Sequence, residues 1–260
     1  MLPRRAGVVV TGGGNGIGRA IAHRLVAAGA RIVVNDLDGD AAARVGEEVG
    51  GLAVAGDAAS ADGVHALVDA AREHLGSIDV FFANAGIARG DAGAATDADF
   101  ETSWQVNVMA HVRAARALLP AWLERGEGRF VATASAAGLL TMLGSAPYTL
   151  SKHAAVAHAE WLSATYRHRG VVVQALCPQG VRTAMLDDSG PAGDVTLTDT
   201  AITPEQVAAT VFEALEDDRF LILPHPEVAD YVRAKAADPD RWLRGMNRLQ
   251  QRVEELRTDF

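Results

Sequence analysis

Tyr148 and Lys152 stand four residues apart in Tyr148-Thr149-Leu150-Ser151-Lys152, so on a helix a phenol and an ammonium share one face. A cation a few ångströms from a phenol favours the phenolate and draws its pKa below the reference of about 10. The pair is expected to supply a base usable near neutral pH. The same spacing also marks ordinary amphipathic helices, so its meaning depends on what stands upstream. There, Thr11-Gly12-Gly13-Gly14-Asn15-Gly16-Ile17-Gly18 follows an apolar run and opens a helix-like segment. Glycines in such a loop let backbone approach a pyrophosphate, and the helix start offers free N–H groups and a positive dipole end. A mononucleotide loop of GxxxxGK[ST] type is excluded, because Arg19 and Ala20 follow Gly18. Asp36 stands about twenty residues beyond the loop, where a carboxylate accepts hydrogen bonds from an adenosine ribose and repels a 2′-phosphate. With Asn15 in the loop instead of a basic residue, the expected cofactor is NAD and not NADP. Asp38 competes with Asp36 for this role, and both also suit an ordinary turn.

The elements that must position these groups show as short apolar runs alternating with longer helix-like segments, the pattern of βαβ units. Strands are predicted over 7–11, 31–35, 52–56, 80–83, 129–134, 171–176 and 220–223, and helices include 16–28, 62–74, 100–122 and 146–168. Right-handed crossovers wind these into a single α/β domain, a doubly wound, mostly parallel seven-stranded sheet flanked by helices, with ligands at the carboxyl ends of the strands. Residues 183–203, rich in Asp, Gly and Thr, read as an irregular lid. A C-terminal helical extension over about 226–258 carries Trp242, Met246, Leu249, Val253 and Leu256 on one narrow seam. That seam packs against the chain's own body or against another subunit.

Composition narrows the classes. The 260 residues are 49% hydrophobic, enough for one large core, and carry a net charge of −9 that disfavours nucleic acid and anionic membranes as partners. A small molecule is the expected partner. A single cysteine, Cys177, excludes an intrachain disulfide, and no CxxC or HExxH spacing suggests a metal. The start, Met1-Leu2-Pro3-Arg4-Arg5, fits neither a signal segment nor a membrane span, so cytoplasmic location is the expectation. His153 and His158, five residues apart, are not spaced for a shared metal and suit a surface or an interface.

With these pieces in order, residues 6–224 resemble the short-chain dehydrogenase/reductase family. The resemblance rests on the TGxxxGxG loop from Thr11 to Gly18, Asn84-Ala85-Gly86, Asn107, Ser135, and Tyr148 with Lys152. It implies a Rossmann-type fold and a catalytic tetrad of Asn107, Ser135, Tyr148 and Lys152. In that tetrad Tyr148 moves the hydroxyl proton, Ser135 orients the substrate oxygen, Lys152 tunes Tyr148 and holds the nicotinamide ribose, and Asn107 positions a water. Cofactor contacts are expected from Gly12, Asn15, Gly16, Ile17, Gly18, Asp36, Leu37, Asp57, Ala58, Asn84, Ala85, Gly86, Tyr148, Lys152, Pro178, Val181 and Thr183. Dimers or tetramers, formed through the helices at 100–122 and 146–168, are also implied.

Gln179 departs from the family pattern, in which a glycine follows the proline; its side chain either enters the substrate pocket or turns outward. The remaining substrate candidates are Ser135, Ala137, Met142, Tyr148 and Met185, with Leu139, Leu140 and Leu186 nearby. No Arg or Lys cluster lies among them, and Arg89 and Arg182 read as solvated or paired. The expected substrate is an uncharged, apolar secondary alcohol or ketone. The expected reaction is NAD-dependent alcohol oxidation, the alternatives being a biosynthetic carbonyl reductase or a non-catalytic nucleotide-binding regulator.

Overall fold

The computed structural model describes residues 5–90 and 94–258, with side chains to residue 256; the N-terminal residues Met1 to Arg4 weighed above lie outside the described residues. Seven strands form one parallel sheet in the order β3-β2-β1-β4-β5-β6-β7: β1 Gly7–Thr11, β2 Arg31–Asp36, β3 Leu52–Ala55, β4 Val80–Ala83, β5 Gly128–Thr133, β6 Val171–Leu176 and β7 Leu221–Ile222. The chain runs outward from β1 to β3, then returns to pair β4 with β1. That reversal splays the loops after β1 and β4 apart and opens a crevice at their carboxyl ends.

Strand residues from Val8 to Val10 and from Ile32 to Val34 are buried on both faces, which is why they read as continuous apolar runs with no alternation. One core lies between the sheet and helices α3 Ala61–Leu75, α5 Ala110–Arg125 and α6 Ala146–Tyr166. The second lies between the sheet and helices α1 Gly16–Ala27, α2 Gly39–Val49 and α9 Pro204–Asp217. Helix α4, Asp97–Trp104, begins at a Thr96–Asp99 capping box and passes through a π-helical turn, Gln105–Met109, into α5. The predicted helix over 100–122 is therefore real but interrupted, and the wide turn falls around Asn107.

Residues 183–203 differ from the irregular loop expected. Two short helices occupy the segment, α7 Ala184–Asp187 and α8 Gly190–Thr196. Its base is pinned by a parallel bridge between Val181 and Ile202, with Arg182 N–H donating to Ile202 O at 2.9 Å and Ile202 N–H to Gly180 O at 3.1 Å. Beyond β7, α10 Val228–Ala237 and α11 Pro239–Thr258 complete the chain, and α11 packs on α8 and α10.

Candidate active site

A cleft of about 2070 Å³ runs along the carboxyl ends of the strands, from Asp36 and Asp57 at one end to Met142, Met185 and α11 at the other. The glycine loop forms its floor. Gly12 and Gly16 take positive φ values of 59° and 51°, backbone that side chains rarely adopt. Asn15 caps α1 without a side-chain hydrogen bond, so the N–H groups of the first turn receive no acceptor from it and face the cleft at Gly16 and Ile17. Gly18 lies behind the loop and does not line the cleft; a Cβ there would stand 2.3 Å from Gly12 O, so glycine permits helix–strand contact.

Asp36 closes the outer end. Its Oδ2 accepts the Gly14 N–H at 2.9 Å and its Oδ1 the Asp38 N–H at 3.1 Å, which fixes the carboxylate at the rim beside Leu37. Asp38 instead caps α2, accepting from the N–H groups of Asp40 and Ala41, and so does not compete with Asp36. Arg44 of α2 was not anticipated: its Nη2 donates to Gly14 O at 3.2 Å and to Asn15 Oδ1 at 3.3 Å, from behind the loop. Asp57 and Ala58 line the same end. Asn84 ties three strand ends together, its Nδ2 donating to Thr11 O and Gly12 O at 3.0 and 3.1 Å and its Oδ1 accepting from Thr133 Oγ1 at 3.1 Å. Ala85 and Gly86 continue the wall. These free N–H groups, the positive-φ glycines and the rim carboxylate together fit an adenosine dinucleotide stretched along the cleft.

At the inner end the tetrad candidates converge on buried ground. Tyr148 and Lys152 lie on α6, one turn apart, and both line the cleft. Ser135 begins the turn after β5, its Oγ accepting the Ala137 N–H at 3.1 Å and donating to Pro178 O at 3.4 Å, and the same hydroxyl draws the Tyr148 pKa down. Burial nevertheless dominates and pushes Tyr148 above its ordinary value. This corrects the expectation that Lys152 sets the phenol. The Lys152 Nζ is drawn away to Thr133 O, 2.9 Å distant, and lies 5.6 Å from the Tyr148 ring centre, while burial brings its own pKa down to about 8.

Asn107 does not line the cleft. From the π-helical turn its Oδ1 accepts the Ile87 N–H at 2.9 Å, and its Nδ2 donates to Ile87 O at 2.9 Å and Ser151 Oγ at 3.0 Å. It thus anchors the wall after β4 to α6. A Cβ on Gly86 would stand 3.2 Å from Asn107 Oδ1 and 3.3 Å from Lys152 Nζ, so glycine keeps that corner open.

Pro178, Val181 and Thr183 line the cleft opposite Tyr148, and Thr183 faces Gly16 across it. Gln179 lines it too, with its Oε1 buried and without a hydrogen-bond partner among the described residues. Its backbone N–H donates to Nδ1 of buried His225 at 3.1 Å, and His225 Nε2 meets Thr200 O at 3.2 Å. His225 was not singled out from sequence; it links the loop after β6 to the far side of the α7–α8 segment. Ala137, Leu140, Met142, Met185 and Leu186, all expected near the substrate, line the inner half of the cleft, whereas Leu139 packs behind it with Val228. Cys177 is buried, its thiol pushed up to about 12, which leaves it inert. Among the described residues no group of three metal-ligating side chains comes together.

The C-terminal seam folds onto its own chain. Trp242, Met246, Leu249 and Val253 line the cleft, while Leu256 stays exposed. These distant residues form part of the cleft wall beyond Met142 and Met185, which their local pattern, that of any amphipathic helix, gave no means of seeing.

A family model described as short chain dehydrogenase matches residues 6–193. The chain belongs to the short-chain dehydrogenase family. This short-chain dehydrogenase is 37% identical over 247 residues to the 1-deoxy-11-beta-hydroxypentalenate dehydrogenase of Streptomyces exfoliatus, covering 90% of this chain and 87% of that one. It is also 37% identical over 184 residues to a 2,5-dichloro-2,5-cyclohexadiene-1,4-diol dehydrogenase of Sphingobium indicum, covering 69% and 74% of the two chains. Among solved structures, a short chain dehydrogenase/reductase from Burkholderia phymatum in complex with NAD superposes with a TM-score of 0.83 at 31% identity, over 92% of this chain and 96% of that one. The protein is accordingly an oxidoreductase acting on hydroxyl or carbonyl groups of a small molecule, with a nucleotide cofactor. Among the described residues no helix is long and apolar enough to cross a membrane.

Proposed function

We propose that this dehydrogenase oxidises a secondary alcohol on an alicyclic ring to the ketone, with NAD as cofactor and Tyr148 as the base. The observation that carries the reading is the convergence of Tyr148, Ser135 and Lys152 at the buried end of a cleft whose outer end is closed by the Asp36 carboxylate. When bound, NAD supplies the hydride acceptor. The chain's own residues do the rest. Ser135 and Tyr148 hydrogen-bond the carbinol oxygen and fix the carbon above the cleft floor. Tyr148 takes the hydroxyl proton as the phenolate and returns it in the reverse direction. Lys152 would hold the nicotinamide ribose, and Asn107 acts at one remove by holding the wall and helix that carry the site. Asp36 favours a free ribose over a phosphorylated one by repulsion.

The ring follows from the apolar lining of the substrate half and from two relatives whose names describe cyclic alcohols. Phe100 and Trp104 on α4 and Leu150 and Trp161 on α6 are exposed, and we assign these faces to self-association as a dimer or tetramer. The test of the reaction is absorbance of the reduced nicotinamide while cyclohexanols, bicyclic alcohols and short aliphatic alcohols are offered with NAD or NADP. Turnover of ring alcohols with NAD is expected; turnover confined to aliphatic alcohols, or to NADP, would overturn the reading.

A further inference from the structure

The C-terminal helix brings two further cations, Arg241 and Arg248, to a cleft lined elsewhere by Arg19, Arg89, Lys152 and Arg182. In a protein of net charge −9, α11 carries Arg241, Arg244, Arg248, Arg252 and Arg257 against Asp240, Glu254 and Glu255. Arg241 and Arg248 line the cleft on the stripe beside Trp242, Met246 and Leu249. Neither guanidinium has an ion-pair or hydrogen-bond partner among the described residues, although Arg19, Arg44, Arg129 and Arg182 all do. The neighbouring acids are not paired with them: Asp238 accepts the backbone N–H of Arg241 at 2.9 Å, Asp240 borders an outer depression with Arg248 without an ion pair, and Asp188 lies on the α7–α8 segment.

Between the two arginines stands Gly245, which also lines the cleft. Within 4 Å of the position a Cβ would take there is only Arg248 Nη2, at 3.9 Å. Glycine inside a helix is destabilising, and no packing contact requires it here. Side chains on a helix lean toward its N-terminus, so Arg248 lies back over Gly245, with Arg241 one turn further. The floor under the Arg248 guanidinium is thus left open toward the cleft. This is the substrate end and not the cofactor end: Trp242 packs with Ala136 and Leu140, in the turn that begins at Ser135, and α11 rests on α8.

We propose that Arg248, supported by Arg241, binds a carboxylate carried by the substrate at the end remote from its reacting carbinol, so that the substrate is an alicyclic hydroxy acid. This rests on the alcohol-oxidising reading above and replaces the uncharged substrate expected from sequence. The planar guanidinium over a bare glycine matches the two oxygens of a carboxylate, while Trp242, Met246 and Leu249 cover the apolar ring.

The test uses the NADH complex of the full chain with two probes of one shape, adamantane carboxylate and adamantane carboxamide, titrated calorimetrically at low and high salt. The carboxylate is expected to bind about tenfold tighter or more than the amide, as for a charge-assisted hydrogen bond. That ratio is expected to fall toward one in Arg248→Gln, to be kept in part in Arg248→Lys, and to shrink with salt. Equal affinities, a ratio insensitive to Arg248→Gln, or no binding of either probe overturns the proposal. Turnover of 4-hydroxycyclohexanecarboxylate and its methyl ester separates the two readings. Oxidation of both with equal kcat/KM contradicts the carboxylate site and leaves the reaction standing; preferential binding of the acid with oxidation of neither contradicts the reaction and leaves the site standing.

Discussion

Replacing Asp36 by Ala removes the carboxylate held against the glycine loop at the outer rim of the cleft. The side chain is fixed by two backbone N–H groups, Gly14 at 2.9 Å and Asp38 at 3.1 Å, so it cannot swing away from a 2′-phosphate. A phosphate oxygen about 4 Å from that carboxylate meets a repulsion of roughly 1 kcal/mol per unit charge pair in water and roughly 4 kcal/mol at an effective dielectric of about 20. The half-buried rim lies between these limits. At about 1.4 kcal/mol per decade, the substitution should raise kcat/KM for NADP relative to NAD by roughly 10- to 1,000-fold. Arg44 adds to the change, because its Nη2 already lies on Gly14 O and can turn to a phosphate once the carboxylate is gone. Loss of the ribose hydrogen bonds should lower kcat/KM for NAD by about tenfold. Initial rates with each cofactor at one saturating alcohol concentration give the ratio. An unchanged ratio in Asp36→Ala would refute the argument that charge at this rim selects the cofactor.

Three further outcomes are expected. Lys152, lowered to about 8 from its ordinary value of 10.5, has released its proton between those values while the unfolded chain still holds one, so stability rises with pH across that window. Lys152→Met should lack this rise in thermal unfolding from about pH 8 to about pH 9.5; parallel curves for both proteins would contradict this. Asn107→Ala breaks its bonds to Ile87 N–H, Ile87 O and Ser151 Oγ and strands buried partners, at a cost of about 2–4 kcal/mol, and a loss under about 1 kcal/mol by denaturant titration would show that the wall is held otherwise. Gly245→Ala should stabilise α11 by about 0.5–1 kcal/mol, because the added Cβ meets only Arg248 Nη2 at 3.9 Å; a lowered melting temperature would reveal a contact there.

The sheet was largely legible because a parallel strand covered on both faces must be an unbroken apolar run. Strands β1, β4 and β6 begin and end where the apolar runs do. Helix α2 escaped notice because its inward residues, Ala41, Ala42, Val45, Gly46 and Val49, are mostly small. The π-helical turn around Asn107 has no local pattern, since its wider winding follows from tertiary contact with Ile87 and Ser151. Residues 183–203 read as loop because Gly and Asp are poor helix formers; closure at Val181 and Ile202 lets short helices form there. Nearly all cofactor-loop and tetrad candidates line one cleft because each lies at a strand end or on α6, positions that order along the chain defines. The electrostatics were less legible. Adjacency of Lys152 to Tyr148 was visible, but the burial that outweighs it and the Thr133 carbonyl that captures the ammonium are properties of packing. Likewise, Arg241 and Arg248 reach the substrate end only because α11 folds back over α8.

The central claim is that Tyr148 moves the proton in an NAD-dependent oxidation of a ring alcohol. The most direct measurement compares wild type with Tyr148→Phe under saturating NAD and the best ring alcohol, following reduced nicotinamide in a single turnover, with NADH affinity measured in parallel. A fall in the oxidation rate of about 100-fold or more, with NADH affinity within about threefold of wild type, is the predicted result. A rate within a few-fold of wild type, with the cofactor still bound, would contradict the assignment of Tyr148 and with it the mechanism proposed for this cleft.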